Sequence, residues 1–200
     1  MIKEDLEVRD IDYLHNRPRR ARRHAAEWIA VLVVALFAAF VIRTYVFQVF
    51  SVPSGSMLPT LQIHDRLVVD ELPGFAHSIR RGDIIVFHRV AADTDKATPI
   101  LVKRVIGLPG ETISSKVATV YIDGHALVEP WLAGMKSAGC SEPAFNIPIT
   151  HIPTNQYFVM GDCRNYSADS RSWGTVPLTN VIGRVFIVIW RHNHPWFHWF

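Results

Sequence analysis

One serine of the sequence lies in a segment from which it could act as a nucleophile. Ser56 falls within residues 51–60, a serine-rich stretch with two prolines, Pro53 and Pro59, which predicts a turn. A serine hydroxyl becomes nucleophilic only when a neighbouring group removes its proton. The sequence contains no G-x-S-x-G elbow that would indicate a histidine for this task. On composition alone, a structural turn is the simpler interpretation and a catalytic turn the alternative.

A lysine inside an apolar run could supply the base. Lys103 lies within residues 101–106, a run typical of a β-strand, and Arg104 follows it directly. Side chains alternate along a strand, so Lys103 shares its face with Leu101 and Val105 while Arg104 points the other way. Desolvation disfavours an ammonium and lowers its pKa, which makes a lysine a usable base near neutral pH. The alternative is a lysine whose stem packs inside and whose amine reaches water.

A third polar segment, residues 161–174, carries side chains able to hold a neighbouring group in place. Asp169 and Arg171 are separated by one residue, and Ser167 stands two positions before Asp169. A carboxylate and a guanidinium at this spacing can form a charge-assisted pair that fixes the orientation of a nearby side chain. A solvated loop is the alternative interpretation.

Beyond residue 45 the sequence has the pattern of a β domain. Short apolar runs rich in β-branched residues are separated by Pro, Gly and Asp. Asp123-Gly124 between two such runs predicts a two-residue hairpin. The fold class predicted is mainly β, with an antiparallel β-sheet catalytic domain and a small irregular insertion at about residues 129–153. The predicted strands are residues 66–70, 83–88, 101–106, 117–122, 156–160 and 181–190.

The N-terminal part predicts one transmembrane α-helix before this domain. Residues 25–42 contain a single charged residue, Glu27. As a helix rising about 1.5 Å per residue they would span roughly 27 Å, close to the hydrocarbon thickness of a bilayer. Five arginines in residues 17–23 are typical of a cytoplasmic flank rather than of a nucleic-acid site. A cleavable secretory signal is the alternative, which the apolar character continuing through Phe50 disfavours.

Four parts follow from these patterns. They are a cytoplasmic basic tail at 1–24, an anchor helix at 25–45, an extracytoplasmic domain at 46–190 and an aromatic, histidine-rich tail at 191–200. The tail either contacts the membrane interface or frays. Cys140 and Cys163 lie in the exported part, where disulfides form, but a sequence does not give their separation, so their pairing stays open. No metal site is expected, because neither the cysteines nor the C-terminal histidines have the spacing of ligands.

Four motifs, in this order, resemble those of the bacterial type I signal peptidases, or leader peptidases. They are PSGSMLPTL at 53–61, RGDIIVF at 81–87, KRVIGLPGE at 103–111 and GDCRNYSADSR at 161–171. With the anchor, the resemblance covers about residues 25–190. Cys163 is a departure, because the family usually has asparagine there.

The resemblance implies a Ser/Lys dyad serine protease. Ser56 matches the nucleophile of the family and Lys103 its general base. Ser54 matches the residue whose hydroxyl joins the backbone N–H of Ser56 in the oxyanion hole. Ser167 matches the serine that orients the lysine amine, and two residues match the supporting pair, Asp169 and Arg171. The mechanism requires no cofactor and no metal.

The same resemblance implies the substrates and the location. The family removes signal peptides from exported preproteins after small residues in an A-x-A pattern. The expected partners are therefore such preproteins and the lipid bilayer, with no nucleic acid. The expected location is the cell (plasma or inner) membrane, single-pass, with the N-terminus cytoplasmic and the catalytic domain extracytoplasmic. The residues that match the lining of the shallow substrate pockets are Phe50, Val52, Val86, Leu101 and Val102.

Two other functions remain to be weighed against a general signal peptidase. One is a specialised Ser/Lys processing peptidase with a single substrate. The other is a catalytically silent, membrane-tethered module that binds signal peptides. The presence of Ser54, Ser56 and Lys103 together argues against the silent module.

Overall fold

The computed structural model describes residue 24 and residues 27–39, 47–70, 79–94 and 98–200. The chain divides into two compact units, Met1–Thr44 and Tyr45–Phe200. In the first unit, residues 27–39 form a helix, α1. Within the described ranges no helix is both long enough and apolar enough to cross a bilayer. The predicted basic tail, apart from residue 24, and residues 25, 26 and 40–45 of the predicted anchor lie outside the described residues.

Twelve strands are present among the described residues of the second unit, all paired antiparallel. They are β1 Phe47–Ser51, β2 Arg66–Asp70, β3 Ile84–His88, β4 Ile100–Gly107, β5 Thr112–Lys116, β6 Thr119–Ile122, β7 His125–Ala126, β8 Thr150–His151, β9 Gln156–Met160, β10 Val176–Pro177, β11 Val181–Arg191 and β12 His194–Trp199. Eight of the strands form the main sheet, in the order β1-β2-β11-β3-β4-β9-β10, with β12 paired to β11. The other four form a small sheet in the order β7-β6-β5-β8. The predicted mainly β, antiparallel class is confirmed.

The irregular insertion contains only short elements within residues 129–149. Two 3₁₀ turns, Pro130–Leu132 and Met135–Ala138, precede an extended stretch that leads into β8. Among the described residues of this unit, one α-helix is present, α2, Ser170–Trp173, and a 3₁₀ turn at Arg164–Tyr166 lies just before it. The disulfide Cys140–Cys163 joins the insertion to the segment after β9. The two cysteines whose pairing the sequence left open are therefore bonded.

Two predicted elements differ from the structure. The predicted strand 117–122 begins only at Thr119, because Val117 and Ala118 have positive φ angles of 48° and 70° and form the turn between β5 and β6. The predicted C-terminal tail contains a strand, β12, which pairs with β11 after a turn at His192 and Asn193, both also with positive φ. Backbone pairing orders this segment although its side chains are exposed.

One core cluster of the main sheet includes residues of the loop that carries Ser56. One cluster of buried side chains combines residues of β2, β3, β4 and β11 with Val52, Met57 and Leu61 from the loop between β1 and β2. Burial of these side chains, worth roughly 1.5–3 kcal/mol each, holds that loop against the sheet. The loop that carries Ser56 is thus part of the core, as is the strand that carries Lys103.

Candidate active site

Ser56 lies in a tight 3₁₀ turn, Gly55–Met57, between β1 and β2. All three residues of the turn are buried, and Ser56 is 6% exposed. The loop is closed behind the turn, where the backbone N–H of Val52 donates to the carbonyl of Asp65 at 2.9 Å. The buried Asp65 carboxylate in turn pairs with Arg191 at the end of β11, at 2.7 Å. The serine-rich segment is therefore held by the sheet and is not a solvated turn.

Lys103 reaches this turn from β4. Its Nζ lies 2.6 Å from Ser56 Oγ, within hydrogen-bond distance, although the two residues are 47 positions apart. The lysine is 3% exposed. It forms no salt bridge within the part of the chain that the structure describes. The amine therefore has the reacting hydroxyl as its close polar neighbour.

Burial shifts the protonation of this amine. Loss of solvation disfavours the ammonium form and lowers the pKa of Lys103 from 10.5 to about 8. The Asp169 carboxylate acts in the opposite direction and raises this pKa, while the Arg171 guanidinium lowers it. About half of the amine is consequently neutral at pH 8, and a neutral amine can accept a proton.

The neighbouring cation, Arg104, is also buried, at 6% exposure, but its environment is different. Its guanidinium donates from Nε and Nη2 to the two oxygens of Asp162, at 2.8 and 2.6 Å. It also lies over the ring of Trp131, 5.0 Å from the centroid. The side chains of Lys103 and Arg104 thus point to opposite faces of β4, as predicted. Arg104 is paired with the Asp162 carboxylate, whereas Lys103 is hydrogen-bonded to the Ser56 hydroxyl.

Ser54 supplies a second hydroxyl beside the nucleophile. Its Oγ donates to Ser56 Oγ at 3.4 Å. The residue is extended, with φ −144° and ψ 162°, and it is exposed. A hydroxyl in this position faces the space next to the reacting atom from the solvent side.

The supporting pair predicted from the sequence is formed. Asp169 Oδ1 accepts from Arg171 Nε at 2.8 Å, and Asp169 Oδ2 accepts from Arg171 Nη2 at 2.8 Å. The same carboxylate caps α2 and accepts from the backbone N–H of Gly161 at 3.0 Å. Arg171 also donates to the carbonyl of Arg164 at 2.8 Å. One buried carboxylate therefore fixes both ends of the segment 161–171.

Ser167 lies next to the site but makes no hydrogen bond to the Lys103 amine. Its Oγ is buried and has no hydrogen-bond partner among the described residues. It lies against Gly161, where an added Cβ would stand 2.3 Å from Ser167 Oγ and 2.6 Å from the backbone oxygen of Ser56. The close approach of these three residues explains why glycine stands at position 161.

The sequence analysis did not find a further link to the nucleophile. The backbone N–H of Cys163 donates to the carbonyl of Ser56 at 3.0 Å. Next to it, Asp162 accepts from Thr60 Oγ1 at 2.5 Å in addition to its pair with Arg104. The signal in the sequence was an acidic residue two positions after a buried strand, but the partners of Asp162 follow only from the sheet pairing.

The predicted substrate-binding residues fall into two groups. Val52, Val86 and Val102 belong to the core cluster beneath the nucleophile loop, and Phe50 packs on its margin. Leu101 points to the other face of β4 and packs against a second cluster, which contains Trp173. Ile100, which the sequence analysis did not select, is the partly buried side chain of β4 that joins the first cluster.

Among the described residues, no group of three or more His, Cys, Asp or Glu side chains has the geometry to hold a metal ion. Cys140 and Cys163 are bonded to each other in the disulfide, so neither thiol is free to bind a metal ion.

The site thus brings a serine hydroxyl within hydrogen-bond distance of a buried amine. Comparisons with known proteins show the family to which the chain belongs. The family model described as "Signal peptidase, peptidase S26" matches residues 25–190. The chain is 38% identical over 170 residues to the signal peptidase I of Leptolyngbya laminosa, covering 84% of this chain and 80% of the relative.

Two further relatives and one solved structure are similar. A probable signal peptidase I-1 of Synechocystis is 41% identical over 160 residues, covering 78% of each chain. Signal peptidase I T of Bacillus subtilis is 35% identical over 172 residues, covering 84% of this chain and 86% of the relative. A crystal structure of a signal peptidase I from Enterococcus faecalis matches with a TM-score of 0.44 and 33% identity, over 54% of this chain and 96% of that one.

The chain therefore belongs to the signal peptidase family, peptidase S26. It is a serine peptidase, and the resemblance inferred from the four sequence motifs is confirmed.

Proposed function

We propose that this chain removes N-terminal signal peptides from exported preproteins, cutting after small residues in an A-x-A pattern, by a Ser/Lys dyad and an acyl-enzyme intermediate. The observation that carries the proposal is the 2.6 Å separation of Lys103 Nζ and Ser56 Oγ, with the lysine buried and outside any salt bridge of the described residues. Family membership supports the substrate class.

The acylation step uses the neutral form of Lys103. The amine takes the proton of Ser56 as Oγ attacks the carbonyl carbon of the scissile bond. The oxygen of the tetrahedral intermediate carries negative charge, and we assign its stabilisation to the Ser54 hydroxyl and the Ser56 backbone N–H. When the C–N bond breaks, the lysine ammonium gives its proton to the leaving amine. The signal peptide then remains as an ester on Ser56.

Deacylation reuses the same amine. With the leaving amine gone, Lys103 is again neutral and removes a proton from water, which attacks the ester carbonyl. The intermediate collapses, the proton returns to Ser56 Oγ, and the signal peptide leaves as a free acid. Asp169 and Arg171 act as positioning residues, since both change the pKa of Lys103 and hold segment 161–171 in place. Ser167 orients the amine of Lys103, the role that the family resemblance implies for it.

The edge of β4 provides a means to bind an extended substrate. Residues 100–103 of β4 pair with β3, while the pairing of β4 with β9 begins only at Arg104. One backbone edge of the segment before Lys103 is thus not occupied by β9, and an extended signal peptide could add to it. We assign the alanine-sized residues at positions −1 and −3 to apolar side chains near this edge, with Phe50, Val52, Val86 and Val102 on one face of the sheet and Leu101 on the other.

Membrane attachment through residues 25–45 is part of the proposal. The described part of this segment, α1, is apolar around its circumference, with Trp28 74% and Phe37 68% exposed. A helix that is apolar on all sides requires an apolar environment. By the positive-inside rule, the five arginines before it support a cytoplasmic N-terminus and a catalytic domain outside the cytoplasm. Resistance of the full chain to alkaline extraction from membranes tests this part separately.

The activity is tested with a preprotein that carries an A-x-A site, using the full chain in detergent. We expect the wild type to cut after the second alanine. Ser56→Ala should abolish cleavage, and Lys103→Ala should slow it by roughly 10²- to 10⁴-fold, the contribution of general-base catalysis. Lys136→Ala, which removes an exposed lysine, serves as the control and should cleave normally. Normal cleavage by Lys103→Ala would refute the dyad, and binding without cleavage by the wild type would favour a silent signal-peptide-binding module.

A further inference from the structure

A surface pocket of about 270 Å³ lies beside the nucleophile turn, which contributes Gly55 to its lining. It contains none of the five side chains assigned to positions −1 and −3. Its lining includes Gly55, Leu58, Ile63, Cys163, Asn165 and Tyr166. Gly55 immediately precedes Ser56, so one lining residue is the direct chain neighbour of the nucleophile.

The walls of this pocket are tied to the nucleophile and to each other. Cys163 donates its backbone N–H to the carbonyl of Ser56 at 3.0 Å. The disulfide Cys140–Cys163 connects it to the insertion that supplies the opposite wall. The backbone N–H of Ser141 donates to Asn165 Oδ1 at 2.9 Å, which adds a second link between the walls. The pocket is therefore built at a fixed position relative to the reacting serine.

The chemistry of the pocket is apolar. Ile63 is 48% exposed and Tyr166 is 72% exposed, and Leu58 is partly buried beside them. No charged residue lines it. Its volume is slightly below the range of roughly 300–1,000 Å³ that is usual for ligand pockets. It is therefore suited to one apolar side chain rather than to a long segment.

The direction in which the substrate runs determines which of its side chains enters the pocket. An extended chain presents alternate side chains to the same face, so residues −3, −1 and +2 face the protein together when the cut lies between −1 and +1. The Cα of +2 stands roughly 7 Å beyond that of −1. The pocket includes Gly55, the neighbour of the nucleophile, and none of the residues assigned to positions −1 and −3, so it is available to the mature side of the scissile bond.

The geometry points to this pocket as the binding site for the side chain of the second mature residue, with a preference for an apolar one. The inference rests on the proposed function and extends it, because it assigns specificity to the product side of the scissile bond. Ile63 and Tyr166 are the residues that determine the preference.

The test uses three preproteins that differ only at +2, where they carry Leu, Ala or Asp behind the same A-x-A site. Cleavage by the full chain in detergent is measured as kcat/KM. The wild type should cut the Leu substrate roughly tenfold faster than the Asp substrate, the scale of discrimination by an apolar pocket. Ile63→Ala and Tyr166→Ala should each reduce this ratio by about threefold or more. Both should leave the discrimination between Ala and Leu at −1 unchanged. Ile149→Ala, which removes an isoleucine that is 83% exposed outside the pocket, is the matched control and should keep the wild-type ratio.

The outcomes separate this inference from the proposed function. A wild type that cuts all three substrates at equal rates refutes the +2 pocket alone. So does a ratio that survives both pocket variants, or one that falls equally in Ile149→Ala. A wild type that cuts no substrate refutes the proposed function and the pocket with it.

Discussion

Replacing Lys103 by methionine should slow cleavage by roughly 10²- to 10⁴-fold, as Lys103→Ala does, and at the same time stabilise the folded domain at neutral pH. The lysine is 3% exposed, and burial lowers its pKa from 10.5 to about 8. One unit of pKa shift corresponds to about 1.4 kcal/mol, so keeping the ammonium buried costs about 3 kcal/mol well below pH 8. Methionine fills a similar volume without a charge. Ser56 loses one hydrogen bond in the exchange, worth about 1 kcal/mol, so we expect a net gain of about 2 kcal/mol at pH 7.

The pH dependence of this gain in stability follows from the direction in which the pKa of Lys103 is shifted. Between pH 8 and 10.5 the unfolded chain holds the lysine proton and the folded protein does not. The unfolded state therefore binds more protons, and the stability of the wild type rises with pH through this window. From pH 7 to pH 9 the free energy of unfolding of the wild type should approach that of Lys103→Met by about 1 kcal/mol.

Urea unfolding followed by tryptophan fluorescence at pH 7, 8 and 9 measures both quantities. Lys136→Met, a change at an exposed lysine, is the matched control and should show no difference that varies with pH. A Lys103→Met variant that is less stable than the wild type at pH 7 would refute the reasoning. A stability difference that stays constant from pH 7 to pH 9 would refute it equally, because the lysine would then carry no penalty of desolvation.

Three further changes test the surroundings of the dyad. Gly161→Ala should reduce kcat by at least about 10²-fold and lower stability by roughly 1–3 kcal/mol, because its Cβ meets the backbone oxygen of Ser56 at 2.6 Å; a fully active variant contradicts this. Asp169→Asn removes the carboxylate that raises the pKa of Lys103, so the pH–rate profile should move to lower pH, and a shift to higher pH would be the wrong sign. Reduction of the Cys140–Cys163 disulfide should lower stability by roughly 2–4 kcal/mol, measured as the urea midpoint with and without reductant; an unchanged midpoint rules out a structural role for this bond.

The strands of the main sheet were predictable because their side chains are selected for burial in a regular pattern. The runs at 66–70 and 156–160 coincide with β2 and β9, and Asp123-Gly124 does turn the chain between β6 and β7, both residues having positive φ. The turn at Val117-Ala118 was missed because a β-branched residue rarely takes a left-handed conformation. Here the pairing of β5 with β6 imposes it. The tail strand β12 was missed because exposed aromatic residues gave no alternation to detect.

The candidate site was predictable as a set of residues but not as a geometry. The alternation along β4 correctly separated the environments of Lys103 and Arg104, yet that Arg104 meets Asp162 depends on the pairing of β4 with β9. The disulfide could not be derived because a sequence carries no Cα separation, which is 5.2 Å here. The contact between the amine and Ser56 joins two segments 47 residues apart, and only the packed core sets that distance.

The pH dependence of a single turnover tests the central claim most directly. A preprotein with an A-x-A site is mixed with excess enzyme in detergent, and the rate of the first cleavage is measured from pH 6 to pH 10. If neutral Lys103 is the base, the rate should rise through an apparent pKa of about 8 and level off above it. A rate that is flat across this range, or one that follows a group titrating near pH 6.5 as a histidine would, would contradict the account.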